Sequence, residues 1–189
     1  ERYTPYNPSR VPQEILTIAN HILGTGQLSL AKYLLIVEEE GAPDINNKES
    51  FFIHLLERVD WSRDMHFQTM TTIDTLDYSG EGLNEGSKLI IAAAGPKKRN
   101  LLKQKPLLKL SRKFTNICIV IDGVLAIDGN GSVEDLIQEL ENIHMDGIAL
   151  ITLVDDVLFV AEDFSNWLWV CFTRSNPSHD IYGLDADLI

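Results

Sequence analysis

The sequence predicts an α/β fold: a layered mixed sheet with flanking helices, containing an internal duplication of a strand-helix-strand unit. Three observations predict it. Apolar, strand-like runs alternate with helix-patterned segments along the 189 residues. An Asp122-Gly123 dipeptide between two apolar runs signals a hairpin, so the sheet is mixed rather than purely parallel. Two segments also repeat one another: Val37 to Phe67 (VEEEGAPDINNKESFFIHLLERVDWSRDMHF) and Val154 to Tyr182 (VDDVLFVAEDFSNWLWVCFTRSNPSHDIY). In each, an apolar strand ends in acids, an apolar helix follows, an Arg closes it, and an Asp comes six residues later (Arg58 and Asp64; Arg174 and Asp180). Phe51, Phe52, Leu55 and Leu56 align without gaps on Trp167, Leu168, Cys171 and Phe172. Two copies are too few for a solenoid, so the repeat belongs inside a globular protein.

The elements follow in order. Pro12 suits the first turn of a helix running to about Leu23, with Ile15, Ile18, Ala19 and Ile22 on one face and Gly24 as its stop. The run YLLIV within 33–38 reads as a strand covered on both faces. Asn46 or Asn47 can cap the next helix, which ends near Val59. MHFQTMTTI (65–73) has strand content, and SKLIIAAA (87–94) is a buried strand ended by Gly-Pro. NICIVIDGVLAIDG opens the second copy as a hairpin. A helix SVEDLIQELENIHM follows, with Ser132 and Asp135 spaced as a capping box. The strand IALITLV and the Trp-rich helix complete that copy.

Hydrophobic content of 44% with 23% charged residues is that of a globular chain long enough to bury a real core. No apolar run approaches the roughly 20 residues that span a bilayer, and ERYTPYNPSR has no signal-peptide h-region. Cys118 and Cys171 lie in apolar runs and read as buried free thiols, which fits a reducing, cytoplasmic compartment; a disulfide between them is the alternative. A net charge of −12 argues against nucleic acid as a general partner. The charge is uneven, however: no acid occurs between Gly86 and Ile121, while Lys97, Lys98, Arg99, Lys103, Lys105, Lys109, Arg112 and Lys113 supply eight of the 16 Lys and Arg. That stretch reads as a solvated connector, or as a surface docking on an acidic neighbour in the same or another protein, or as a phosphate or nucleic-acid site. The chain opens on Glu1 rather than Met, and the expectation is that it was cut from something longer.

Few residues announce chemistry. Glu38, Glu39 and Glu40, and Asp155 and Asp156, stand where strands end, the usual place for ligands in open α/β sheets. They either serve solvated turns and helix caps or offer oxygen ligands to a metal, although neighbours on a strand point to opposite faces and cannot all converge. His21, His54, His66, His144 and His179 have no paired metal spacing and read as surface or structural histidines. No GxSxG, P-loop, GxGxxG or CxxC is present. An ammonium directly before a fully apolar strand is costly to bury unpaired, so Lys32 either snorkels to the surface or is held against an anion. From the residues alone no catalytic constellation can be named.

The run LGTGQLSLAKYLLIVEEE…FFIHLLERVDWSRD (Leu23 to Asp64) resembles the C-terminal domain of UbiD-type decarboxylases, the 3-polyprenyl-4-hydroxybenzoate carboxy-lyase type. So does TIDTLDYSGEGLNEGSKLIIAAAG (72–95). In that family a G-Q-x-x-x-x-K leads the strand, acids follow it, and the helix ends in a T-R-x-D-P-x-R-D pattern. Here that last pattern is split between Glu57-Arg58-Val59-Asp60-Trp61-Ser62-Arg63-Asp64 and Thr173-Arg174-Ser175-Asn176-Pro177-Ser178-His179-Asp180. The resemblance implies part of a lyase: non-oxidative decarboxylation of aromatic or α,β-unsaturated acids on prenylated FMN held with a divalent metal (Mn), in ubiquinone or menaquinone biosynthesis. It also implies that the metal ligands and catalytic residues lie in a missing N-terminal region, that this chain alone is inactive and holds neither cofactor by itself, and that the assembly is a homo-oligomer. Lys32 falls on the family's cofactor-phosphate Lys, and Ile73 and Thr75 on positions near the substrate pocket. Copy two has Ala149 where copy one has Lys32, so the second copy reads as structural, with Trp167 and Trp169 serving either an interface or the core. The resulting division is 1–95 as the UbiD-like domain, 96–114 as a basic linker and 115–189 as the related second subdomain. The alternative is a stand-alone interaction or scaffold module that keeps the fold without the chemistry.

Overall fold

The computed structural model describes residues 12–141 and 143–184; the opening stretch ERYTPYNPSR and the end of the second subdomain, 185–189, lie outside the described residues. The chain forms two compact units, Glu1–Asn100 with Phe172–Asp180, and Leu101–Cys171 with Ile181–Ile189.

The first unit begins with helix α1 (Gln13–Leu23), entered through Pro12 and stopped at Gly24, whose N–H still bonds Asn20 and His21 carbonyls. The sequence offers two overlapping apolar stripes on this helix. The fold buries the one running through Ile15, Leu16, Ala19 and Leu23, and leaves Ile18 40% exposed. Ala19 at the contact lets the helix come close to Ile90 and Ala92 of the sheet, which selects that stripe over the one through Ile18 and Ile22. A 3-10 turn (Gly26–Leu30) leads to β1 (Tyr33–Val37), then α2 (Lys48–Arg58), β2 (Met65–Thr72) and β3 (Glu85–Ala93). Asn47 caps α2 by accepting from the Ser50 N–H at 3.0 Å. The sheet order is β1-β3-β2, with β1 parallel and β2 antiparallel to β3. The strand covered on both faces is therefore the central β3, whose residues after Glu85 are all buried. β1 is an edge strand and half-buried throughout. A bulge between Gln68 and Thr71 pushes Met70 outward, 93% exposed with φ +51°.

The second unit holds β4 (Phe114–Ile121), β5 (Val124–Gly129), α3 (Val133–Leu140), β6 (Leu150–Val154), α4 (Val157–Glu162) and the start of α5 (Phe164–Arg174). The Asp122-Gly123 hairpin forms, with Gly123 at φ +78°. The Ser132–Asp135 capping box also forms. Helix α3 stops at Leu140 rather than continuing to Met145, because Ile143 and Met145 leave the helix to pack against Phe114, Ile127, Leu136 and Leu140. The sheet order is β4-β5-β6, with β5 antiparallel to β4 and parallel to β6.

Each sheet thus has a central strand with one parallel and one antiparallel edge, as the duplication predicts. β1 and β6 are both five residues long and end at the aligned Val37 and Val154; α2 and α5 are both 11 residues long and end at the aligned Arg58 and Arg174. The turn that follows is also repeated. Asp64 Oδ2 accepts the Asp60 N–H at 2.9 Å, and Asp180 Oδ2 accepts the Asn176 N–H at 2.6 Å. Chain order differs: the parallel edge strand precedes its hairpin in the first sheet and follows it in the second. After α5 the second copy adds a short helix, α6 (Pro177–Asp180), which packs on β2 and β3 in the first unit.

The basic stretch has no regular structure, and five of its charges, Lys97, Lys98, Arg99, Lys103 and Lys113, meet acids or a helix end. Lys97 pairs with Glu57 at 2.6 Å and Lys98 with Asp60 at 3.1 Å, while Arg99 donates to the Leu56 carbonyl. These contacts place cations and N–H donors on the C-terminal carbonyls of α2, where the helix dipole favours them. Further along, in the second unit, Lys113 pairs with Asp135 at 2.6 Å.

Candidate functional site

Lys32 stands at the end of the 3-10 turn, one residue before β1, and its side chain is 9% exposed. It does not snorkel. Its ammonium reaches Asp77 Oδ2 at 2.9 Å, Ser79 Oγ at 2.8 Å and the Thr173 carbonyl at 3.3 Å. Three acceptors match the three N–H donors of a lysine. Burial by itself raises the Asp77 carboxyl, but hydrogen bonds from Lys32 and Ser79 outweigh it and hold Asp77 below the usual carboxylate range. Asp77 also accepts the Ser79 N–H at 3.0 Å and the Ser79 hydroxyl at 2.6 Å, an Asx-type turn that fixes Asp77-Tyr78-Ser79.

That turn belongs to the loop between β2 and β3. Thr75 lies on it, exposed, and lines a shallow cavity of about 340 Å³ with Asp77, Tyr78, Glu81, Leu83 and Asn84. Ile73 is two residues away but only 1% exposed, packed beneath the loop. Its N–H donates to the Asn84 carbonyl at 3.2 Å, and its own carbonyl accepts from Asn84 Nδ2 at 3.1 Å. A Cβ at Gly80 or Gly86 would lie 2.8 or 2.7 Å from Ile73 Cδ1, so the glycines of SGEGLNEG make room for this side chain. Lys32 and Thr75 are therefore joined through the Asp77 turn, with Ile73 as the packing under it. Leu76, Tyr78 and Leu83 on the same loop are 77%, 88% and 80% exposed, a concentration of large apolar side chains.

Residues far along the chain complete these surroundings. Phe172 stacks on Tyr33 at 4.6 Å between ring centroids, and Tyr33 Oη is 2.5 Å from Ser175 Oγ. Ser87 donates to Asn176 and accepts the Ser178 N–H at 2.9 Å, and His179 meets Glu81 at 2.9 Å. The sequence analysis singled out neither Asp77 nor Ser79; the D-x-S turn pattern is the signal that could have found them. Nothing in spacing links position 32 to Thr173, Ser175 or Asn176.

Two of the acids at strand ends have structural roles. Asp156 caps α4 by accepting the Phe159 N–H at 3.0 Å, and Glu38 accepts the Gly95 N–H at 2.9 Å. No group of three His, Cys, Asp or Glu side chains that could hold a metal occurs among the described residues, so a divalent metal does not fit here. A phosphate fits Lys32 only as a replacement for Asp77, because the ammonium's donors are all engaged. Trp167 is fully buried, with Nε1 donating to Thr152 Oγ1 at 3.1 Å and its ring stacked on Phe164. Trp169 is 57% exposed. Cys118 and Cys171 are free thiols, and burial pushes Cys171 up to about 12. No helix among the described residues is long and apolar enough to cross a membrane.

An α/β unit with a lysine ahead of its first strand, acids behind it and a Gly-rich loop beside it defines a class by homology. Residues 6–93 match the 3-octaprenyl-4-hydroxybenzoate carboxy-lyase C-terminal domain, and the chain carries a UbiD-family C-terminal domain. Among its relatives, a protein of Chlamydia pneumoniae named as a 4-hydroxybenzoate decarboxylase subunit is 32% identical over 175 residues, covering 92% of this chain and 29% of the relative. Uncharacterized proteins of Chlamydia trachomatis (33% over 170 residues) and Chlamydia muridarum (34% over 172 residues) each align over 90% of this chain and 29% of their own length. The chain thus spans less than a third of these relatives, and alignments of that length run past residue 93 into the second unit.

Proposed function

We propose that this chain is the C-terminal region of a UbiD-like, prenylated-FMN-dependent decarboxylase of aromatic or unsaturated acids, of the quinone-precursor type exemplified by 4-hydroxybenzoate. The homology of residues 6–93 and the name of the Chlamydia pneumoniae relative carry this reading. The exposed apolar loop around Thr75 is the surface that meets the catalytic part of the longer protein, where Lys32 takes the cofactor phosphate and Thr75 and Ile73 border the acid substrate. The flavin supplies the electron sink for loss of CO2, and the divalent metal (Mn) is held by residues outside this chain. The assembly is a cytoplasmic homo-oligomer, with Trp169 as a contact residue in the second unit.

The test is reconstitution. The full-length protein, loaded with prenylated FMN and Mn, should release CO2 from 4-hydroxybenzoate or a related acid, and the 189-residue chain with the same additions should not. Turnover by the chain alone would overturn the division of labour. A full-length protein that takes up the cofactor but decarboxylates no aromatic or unsaturated acid would favour the scaffold alternative.

A further inference from the structure

We infer that Lys32, Asp77 and Ser79 form a latch on the loop between β2 and β3, and that Lys32 cannot hold Asp77 and a phosphate together. This rests on the reading of Lys32 as a phosphate contact. The hold is specific in its geometry. One ammonium, 9% exposed, binds the loop at two side chains two residues apart and binds the Thr173 carbonyl near the end of α5 with its third donor. The hydrogen bonds at the loop's base are local: Ile73 and Asn84 close it, and the Glu81 N–H donates to the Glu85 carbonyl. His179 Nε2 meets Glu81 at 2.9 Å, an exposed contact of little strength. The Lys32 contact is therefore the long-range tie, spanning 45 residues to Asp77, that fixes where Thr75, Tyr78 and the cavity wall stand.

The charge arithmetic makes the two partners exclusive. Asp77 already neutralises Lys32, and a phosphate dianion brought to the same ammonium would lie against the Asp77 carboxylate, a like-charge contact at close range. When Lys32 turns to a phosphate, Asp77 must withdraw, and the turn built on Asp77 and Ser79 moves with it. Asp77 is thus a positioning residue. It holds Lys32 extended in the absence of an anionic ligand and transmits the ligand's arrival to the loop that carries Thr75.

Hydrogen exchange of the 189-residue chain tests this, using FMN as the phosphomonoester probe and riboflavin as its phosphate-free control. Without ligand, Lys32→Met and Asp77→Asn should each raise exchange across 74–84 by about tenfold, with 85–93 unchanged. FMN should do the same to the unsubstituted chain and riboflavin should not, and Asp77→Asn should bind FMN several-fold more tightly. Unchanged exchange in 74–84 for both variants would overturn the latch. So would FMN binding, seen independently by fluorescence, with no change in the loop. Absence of FMN binding by the chain and by Asp77→Asn would instead remove Lys32 as a phosphate contact, leaving the variants to decide the latch on their own.

Discussion

Strands β1 and β6 have the same length, and so do helices α2 and α5, but of the buried positions on those helices only His54 and Val170 align. α2 buries Phe52, His54, Leu55 and Leu56; α5 buries Phe164, Trp167 and Val170. Trp167 is fully buried, whereas its counterpart Phe51 is half-buried. The link between strand and helix differs as well, a turn-rich segment with Glu38, Glu39 and Glu40 in the first copy and the extra helix α4 in the second. What persists is the Asp that ties back the turn after each helix. Even there the settings diverge, since Asp64 is fully buried with Arg63 on it at 2.5 Å and Asp180 is exposed. The pair teaches that backbone geometry outlasts both burial pattern and chemistry: the second copy keeps strand, helix and turn, and has Ala149 where the first has Lys32.

The largest effect that would sharpen this comparison is in the helix cores. Trp167→Ala removes a fully buried ring and its bond to Thr152, and should cost roughly 3–5 kcal/mol in chemical denaturation, against clearly less for Phe51→Ala. Equal losses would show that the two helices carry the same load. Next come the tie-back carboxylates. Asp64→Ala strands the Asp60 N–H and should cost about 1–3 kcal/mol, while Asp180→Ala, where water can replace the carboxylate, should cost less than about 1 kcal/mol.

Acid should separate the copies too. Hydrogen bonds from Ser62 and Lys98 bring the Asp60 carboxyl down to about 2, and the aligned residue in copy two is the non-titrating Asn176. A carboxyl depressed on folding adds stability that is fully present above its unfolded pKa near 3.8, and that stability is lost as the pH falls toward 2. The Ser62 amide, which donates to Asp60, should therefore titrate with a midpoint near 2 in an NMR series, and Asp60→Asn should remove that step. The smallest effect concerns the thiols. With its pKa at about 12, Cys171 should react with iodoacetamide at pH 8 far more slowly than a free cysteine in solution. Rapid labelling in the native protein would mean that α5 opens locally.

Much of the architecture was legible because its causes are local. The Asn47 cap, the Ser132–Asp135 box, the Asp122-Gly123 hairpin and the Gly24 stop are each settled by a few adjacent residues competing for backbone donors and acceptors. The misread points are those that packing decides. Helix α1 was expected to bury Ile15, Ile18, Ala19 and Ile22, and the sheet opposite it takes Leu16 and Leu23 beside Ile15 and Ala19 and leaves Ile18 exposed. The run YLLIV is as apolar as a central strand, yet β1 lies at an edge, because strand order is set by pairing partners that hydropathy does not encode.

By itself the sequence determined the α/β class, the repeated unit, the family resemblance and the singling out of Lys32. All of these follow from periodicity, residue type and alignment, which survive without coordinates. Only the tertiary structure decided what Lys32 holds. Its partners come from position 77, position 79 and position 173, and the third arrives from the far end of the chain as a backbone carbonyl, a group every residue carries. A side chain can announce that it needs an acceptor, because an unpaired buried ammonium is costly. It cannot announce which acceptor the folded chain will bring.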